Sequence, residues 1–285
     1  MADNVQEFGS LWTERKLDAV DDYLKAYMQI MSNQEWARLL YVDAFAGSGQ
    51  MKLSDGRVIE GSALRSLSHS FDQFLFNDIN EQRIVTLERR VKEEFPAQHR
   101  KIIFSSQDAN KLLETLDSVW AEDRSKWRGV IFIDPFAMQL DWGSLESIAK
   151  TGILDVWYLF PIMALNRMLT KDGQIDESWK AKITGFLGTE EWEERIYSKA
   201  AQLNLFDNDE KVKLNIVGLR DYVISRFKDI FPTVSDHAVV LRNTNKSPLF
   251  ILCFMASNPS EKARNASLRV ANHLLKNLEE LENGD

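Results

Sequence analysis

The stretch that decides the fold is Tyr41-Val42-Asp43-Ala44-Phe45-Ala46-Gly47-Ser48-Gly49. An apolar run ends in an acid and passes straight into a turn punctuated by glycine. A parallel α/β sheet presents a small ligand to backbone N–H groups in this way, at the carboxyl edge of its first strand. Glycine at two positions of the turn admits positive φ and lets main chain come close to a ligand. A second run, Ile131-Phe132-Ile133-Asp134-Pro135-Phe136, is another strand ending in an acid, followed by proline and an aromatic.

Outward from these runs the periodicity alternates. Leu17, Val20, Tyr23, Leu24, Tyr27, Met28 and Met31 recur at helical spacing and predict one helix over residues 11–31. Strands are predicted at 39–43, 74–78, 102–104, 130–134 and 154–160, with helices at 81–95, 109–120 and 145–150 between them. Residues 50–60 read as a loop turning at Ser54-Asp55-Gly56, and Ser62 as the N-cap of a helix starting near Gly61. Strand–helix alternation at this spacing specifies right-handed βαβ units and a mostly parallel sheet covered on both faces. Residues 166–213 carry helical periodicity and no strand-like run, so they are expected to form a helical insertion or lid. A helix over 216–231 and two strands, 237–242 and 249–256, then close the sheet with an antiparallel hairpin, and 261–281 is a final amphipathic helix. This predicts a Rossmann-like α/β fold of the kind used by methyltransferases. The domain boundaries are 1–38 for an N-terminal helical segment, 39–165 with 214–285 for the α/β domain, and 166–213 for the insertion.

Composition bounds the function. The chain of 285 residues has 35 basic and 43 acidic side chains and a net charge of -8. That argues against a broad, non-specific grip on nucleic acid, though a local basic groove, for example from Arg167, Lys171, Lys180 and Lys182, stays open. The single cysteine, Cys253, sits in an apolar run and reads as core, so a reducing compartment fits. The four histidines show no ligand spacing, which speaks against a metal site. The first residues lack a signal-peptide pattern, and the apolar stretch 153–165 falls short of the roughly 20 residues that span a bilayer. A soluble, cytoplasmic protein is expected.

The strand ends point to a cofactor. Asp43 and the turn Phe45, Ala46, Gly47, Ser48 and Gly49 suit the methionine part of S-adenosylmethionine. Asp78 suits its ribose, since a carboxylate accepts from a vicinal diol with two charge-assisted bonds. Asp108, with Ala109, suits the adenine amine. Asp78 and Asp108 are equally placed to cap the helices that follow them. A nicotinamide dinucleotide fits less well, because Gly47-Ser48-Gly49-Gln50-Met51-Lys52 lacks the third glycine of its fingerprint. Asp134-Pro135-Phe136 reads either as catalytic, with Asp134 accepting from an exocyclic amine while Phe136 stacks on a flipped base, or as a strand end with Phe136 packed inside. Lys16, one helical turn from Trp12, reaches a cofactor carboxylate or lies on a solvated face. Asn166 and Arg167 reach the cleft or cap a helix.

Trp12 and Lys16, Tyr41 to Gly47, Glu60-Gly61-Ser62-Ala63-Leu64, Asn77-Asp78, Asp134-Pro135-Phe136, Leu159-Phe160-Pro161 and Leu165-Asn166-Arg167 together resemble the bacterial three-Cys-motif partner protein family, TcmP, over residues 9–170. That family is similar to Rossmann-like methyltransferases, and its name refers to a genomic neighbour. Asp43 to Gly49 and Asp134-Pro135-Phe136 also look like the motifs of enzymes that methylate amino groups of nucleic-acid bases, which show D/N-P-P-Y/F; this chain has one proline. The resemblance implies cofactor roles for the turn and Asp78 and a substrate-amine role for Asp134. Two functions follow as expectations: a methyltransferase acting on an amino nitrogen of a nucleic-acid base, or a non-catalytic partner protein that keeps the fold to bind a cofactor or another protein.

Overall fold

The computed structural model describes residues 6–7, 11–120, 123–199 and 211–284. Its main sheet contains β1 (Arg38–Asp43), β2 (Gln73–Asn77), β3 (Ile102–Ser105), β4 (Trp127–Ile133), β5 (Leu154–Phe160), β6 (Val239–Arg242) and β7 (Pro248–Ala256). The order across the sheet is β3-β2-β1-β4-β5-β7, with β6 and the two-residue strand Thr233–Val234 both on the far side of β7. Pairings from β3 to β5 are parallel; β7 runs antiparallel to both β5 and β6. This is the strand order of Rossmann-like methyltransferase folds. After β1 the chain builds outward through β2 and β3, then returns to place β4 on the other side of β1. The crevice at that reversal lies at the carboxyl ends of β1 and β4, where open α/β sheets hold their ligands.

The helices are α1 (Leu11–Met31), α2 (Ser62–Ser66), α3 (Glu81–Glu94), α4 (Ala109–Val119) and α5 (Trp142–Thr151). They continue with α6 (Ile162–Met168), α7 (Glu177–Leu187), α8 (Trp192–Ile196), α9 (Ile216–Ile230) and α10 (Glu261–Gly284). Alternating side chains of each strand feed two cores. Val156, Tyr158 and Phe160 pack with Leu113 of α4, Ile148 of α5 and Phe227 of α9. Trp157 and Leu159 pack on the other face with Tyr23 of α1 and Leu275 of α10. Strands buried on both faces are apolar runs rather than alternating ones, which is why 130–133 and 154–160 stand out in the sequence. Cys253 is buried in the first of these cores, and burial pushes its thiol well above the usual range.

One acid sits inside the second core. Asp155 of β5 accepts from Tyr23 Oη at 2.7 Å and from Ser267 Oγ at 2.9 Å, so it fastens α1 and α10 to the sheet. Burial pushes its carboxyl up to about 6, against the two hydroxyls that hold it down.

Three expectations are corrected. Residues 50–60 are a hairpin, Gln50–Lys52 against Val58–Glu60, closed by Leu53 N donating to Arg57 O at 2.8 Å. Strands of three residues are too short to show an alternation. Within 166–213, Tyr197–Lys199 and Lys211–Lys213 pair antiparallel, so the segment is not wholly helical; residues 200–210 lie outside the described residues. Ile183, Phe186, Leu187, Trp192 and Ile196 of this segment belong to the same apolar core as β5. Finally, Gly61, not Ser62, is the N-cap residue of α2, because the Ser62 hydroxyl is turned to Asp43.

Candidate functional site at the carboxyl rim

Asp43 ends β1 in full burial. Its Oδ1 accepts from Phe45 N at 3.2 Å and its Oδ2 from Ser62 Oγ at 2.5 Å, so the acid ties the turn to the start of α2. The turn is further held by Ala46 N donating to Asn77 O at 2.8 Å and Gly61 N to Gly49 O at 2.7 Å. Gly47 and Gly49 have φ of 61° and 83°, which favours glycine at both. At Gly49 packing adds a second demand: a Cβ would stand 2.7 Å from Leu87 Cδ1 and 3.0 Å from Leu64 Cγ. Glycine there lets the turn lie flat on α2 and α3; its missing side chain faces the interior rather than a ligand.

Burial pushes the Asp43 carboxyl up to about 7. Its bonds from Ser62 and Phe45 hold it down, while the charges of Asp134 and Asp78 push it further up. Asp43 therefore senses two further carboxylates that Lys16 and Arg83 partly balance, which favours a positively charged occupant beside it.

Asp78 follows β2 and is buried. Its Oδ1 accepts from Asn80 N at 2.8 Å, and Arg83 Nη1 donates to Oδ2 at 3.4 Å. Asn80 is the cap of α3, accepting from Gln82 N and Arg83 N. Asp108 does cap α4, through Oδ1 to Asn110 N at 2.9 Å and Lys111 N at 3.3 Å, and Ala109 is buried as the first residue of that helix. The sequence places Asn77 in the strand predicted at 74–78 and in the family resemblance, without a role of its own. Its Nδ2 donates to Ala44 O at 3.2 Å and Gln107 O at 3.1 Å, and its Oδ1 accepts from Gln107 N at 3.2 Å. It thus stitches together the loops after β1, β2 and β3. An amide closing the apolar run Phe74-Leu75-Phe76 is the signal that marks it.

Asp134 follows β4 and pairs with Lys16 Nζ at 2.5 Å. Lys16 is only 4% exposed and lies 4.9 Å from the Trp12 ring centroid, while Trp12 packs on Phe250 of β7 with centroids 5.4 Å apart. The solvated-face reading of Lys16 is overturned: the start of α1 covers this end of the sheet. Arg57 on Glu14 and Arg65 on Asp18 tie the same helix to the hairpin and to α2. Pro135 is buried, but Phe136 is 74% exposed, with its N–H donating to Gln139 Oε1 at 2.9 Å. The packed-inside reading of Phe136 is thereby overturned too.

Asn166 accepts from Lys213 Nζ at 2.9 Å, and Lys180 pairs with Glu177 at 3.3 Å. Two surface hollows, of about 470 and 290 Å³, lie at the amino edge of β1–β3 and beside α8 and α9, both away from the carboxyl rim. The rim itself is covered, with Gly47, Ser48 and Gly49 all buried. Its residues nonetheless suit S-adenosylmethionine in their chemistry: carboxylates for a sulfonium, an ammonium and ribose hydroxyls, on a tight glycine turn. No group of three or more metal-ligating side chains is found among the described residues, and no helix among them is long and apolar enough to cross a membrane.

No family model and no curated protein matches the chain. Solved structures are similar to it in layout. A Legionella pneumophila protein of family DUF519 is 10% identical over 92% of both chains, with a TM-score of 0.49. Trm1 from Pyrococcus horikoshii, solved with S-adenosyl-L-methionine, is 12% identical over 90% of this chain and 57% of its own, with a TM-score of 0.41. The methyltransferase domain of a bacterial Hen1 is 12% identical over 84% of this chain and 98% of its own, with a TM-score of 0.39. The strand order of its own sheet defines the fold of this chain.

Proposed function

We propose that this chain is an S-adenosylmethionine-dependent methyltransferase acting on an amino nitrogen, with a nucleic-acid base as the substrate class. The observation that carries the reading is the placing of Asp43 and Asp134 at the topological switch point with Asp78 one strand away, the charges of Asp134 and Asp78 acting on a buried Asp43 pushed up to about 7. With Lys16 on Asp134 and Arg83 on Asp78, Asp43 is the one of these three acids left without a cation among the described residues, and it favours a cationic ligand. Asp43 and the turn Phe45 to Gly49 would hold the methionine part, Asp78 the ribose hydroxyls, and Asp108 with Ala109 the adenine. The bound cofactor supplies an electrophilic methyl group on a sulfonium.

Asp134 already holds an amine, that of Lys16. A substrate amine would take that place, donating to Asp134 Oδ2 with its lone pair turned into the crevice. Lys16 would then serve the cofactor carboxylate. Phe136, exposed beside it, offers a stacking face to a base turned out of its strand. The residues would lower the barrier chiefly by alignment.

A second reading is favoured by one observation. Lys16 and Trp12 cover the rim, as suits a partner protein of the TcmP kind that keeps the fold without turnover. Calorimetry with S-adenosylmethionine, together with transfer of radiolabelled methyl to total RNA, DNA and protein, separates the two. Binding with label on nucleic acid, lost in an Asp134→Ala variant that circular dichroism shows still folded and that still binds the cofactor, supports the enzyme. Binding without transfer to any fraction supports the partner protein, and no binding removes both cofactor readings.

A further inference from the structure

The amino edge of the sheet, at the opposite end of the strands from Asp43 and Asp134, carries different chemistry. There β1 opens with Arg38, the short turn His99–Lys101 leads into β3, and β4 opens with Trp127. The hollow of about 470 Å³ lies here, lined by Arg38, Asp72, Arg100, Lys101, Ile103 and Trp127 among others. Three cations face one carboxylate, and Asp72 Oδ2 is already engaged by Leu39 N at 2.7 Å.

Among the described residues many cations elsewhere sit on carboxylates, as Lys25 does on Asp21, Arg57 on Glu14 and Arg226 on Asp229, and those that do not, such as Lys276, are not gathered around one hollow. Arg38, Arg100 and Lys101 have no carboxylate partner among the described residues. Arg38 instead lies over the Trp127 ring at 5.8 Å, and Lys101 Nζ donates to Phe71 O at 3.2 Å. At the same edge but outside the hollow the Arg128 guanidinium stands 4.8 Å from the Trp36 ring centroid; Trp36 is 50% exposed, and Ile103 in the hollow's lining is 42% exposed.

Clustered cations in an acidic chain call for an anion, and spacing and aromatic exposure narrow the choice. Arg38 heads β1 and Lys101 precedes β3, so two strand spacings across and two residues along put their backbones about 12 Å apart. That span takes in more than one phosphate of an extended strand. Exposed Trp36 and Ile103 offer apolar faces to bases that are unstacked, which a duplex keeps inside itself. We propose that this edge binds single-stranded nucleic acid, with Arg38, Arg100 and Lys101 on backbone phosphates and Trp36 against a base. The inference stands whether or not the carboxyl rim transfers a methyl group.

Fluorescence anisotropy with a labelled oligouridylate, its DNA counterpart and a duplex of equal length tests it. The single strands are expected to bind at low salt, with log affinity falling against log salt at a slope of about −2, as three phosphate contacts give. Arg100→Glu and Arg38→Glu are each expected to weaken binding about tenfold, or about 1.4 kcal/mol. Lys276→Glu, the same charge change on the exposed face of α10, is expected to alter it by less than about twofold. Trp36→Ala is expected to weaken binding with the salt slope unchanged, and circular dichroism checks that every variant is folded. Absence of binding by the unaltered protein, equal loss in Arg100→Glu and Lys276→Glu, or a duplex bound as tightly as a single strand would each overturn the proposal.

Discussion

Lys16 Nζ stands 2.5 Å from Asp134 Oδ2, and the two partners differ in their surroundings: Lys16 is 4% exposed and Asp134 22%. Removing one member of such a pair strands the other. An ammonium left without its acid in a buried place costs far more than a carboxylate that water already reaches. Asp134→Ala is therefore expected to destabilise the fold by about 3 kcal/mol and Lys16→Met by about 1 kcal/mol. The double variant should recover part of the loss. Urea unfolding of the three proteins measures this; equal costs for the two single variants would contradict the burial asymmetry.

The raised carboxyl of Asp43 makes ligand binding pH-dependent in a definite direction. Around pH 6.5 the group, at about 7, is partly protonated in the free protein. A cationic ligand favours the ionised form, so binding should release part of a proton and the affinity should rise with pH until about 8. Calorimetry with S-adenosylmethionine in two buffers of different ionisation enthalpy reads the proton directly. Release is expected at pH 6.5 and not at pH 8, and Asp43→Asn should abolish it while weakening binding.

Asp155 makes a separate prediction about stability. Its folded carboxyl is raised from the ordinary value of 3.8 to about 6, so between those values the native state holds more proton than the unfolded chain. Its stabilising contribution is complete below about pH 4 and is lost as pH rises through 6. Asp155→Asn removes that slope while its side-chain oxygen still accepts from Tyr23 and Ser267. Between pH 4 and 7 the variant should gain on the unaltered protein by an amount on the order of 3 kcal/mol. Urea midpoints at the two pH values test it, and a pH-independent difference would refute it.

The sheet was legible because strands buried on both faces announce themselves as apolar runs. Val130 to Ile133 and Leu154 to Phe160 needed no partner to be recognised, and the acids after β1, β2 and β4 marked the rim. What stayed hidden depends on partners distant in sequence. Lys16 and Asp134 are 118 positions apart, and a solvated lysine and a buried one look alike in a helix. Gly49 was visible as a glycine, but the reason for it lies in Leu87 of α3 and Leu64 of α2. The hairpin at 50–60 escaped because its strands, of three residues each, are too short to carry a period. The basic amino edge escaped for another reason: Arg38, Arg100 and Lys101 come from separate stretches that only strand order brings together.

The segment after β5 allows a test within one helix. Gly188 caps α7 with φ of 66°, and a Cβ there would stand 2.1 Å from Trp142 Cγ. Trp142 cannot yield easily. Its ring is stacked on Phe227 with centroids 6.0 Å apart, and the Arg226 guanidinium stands 4.7 Å from its centroid. Gly188→Ala therefore meets both backbone strain and a collision, and should cost about 3 kcal/mol. Three residues earlier, Gly185 lies in the helix, and a Cβ added there would meet nothing within 4 Å. Alanine there gains helix propensity of up to about 1 kcal/mol. Thermal unfolding should show Gly188→Ala melting several degrees lower and Gly185→Ala slightly higher than the unaltered protein, about 2–4 °C per kcal/mol for a chain of this size. If the two variants moved together, α7 and Trp142 would not be packed as one body with the sheet.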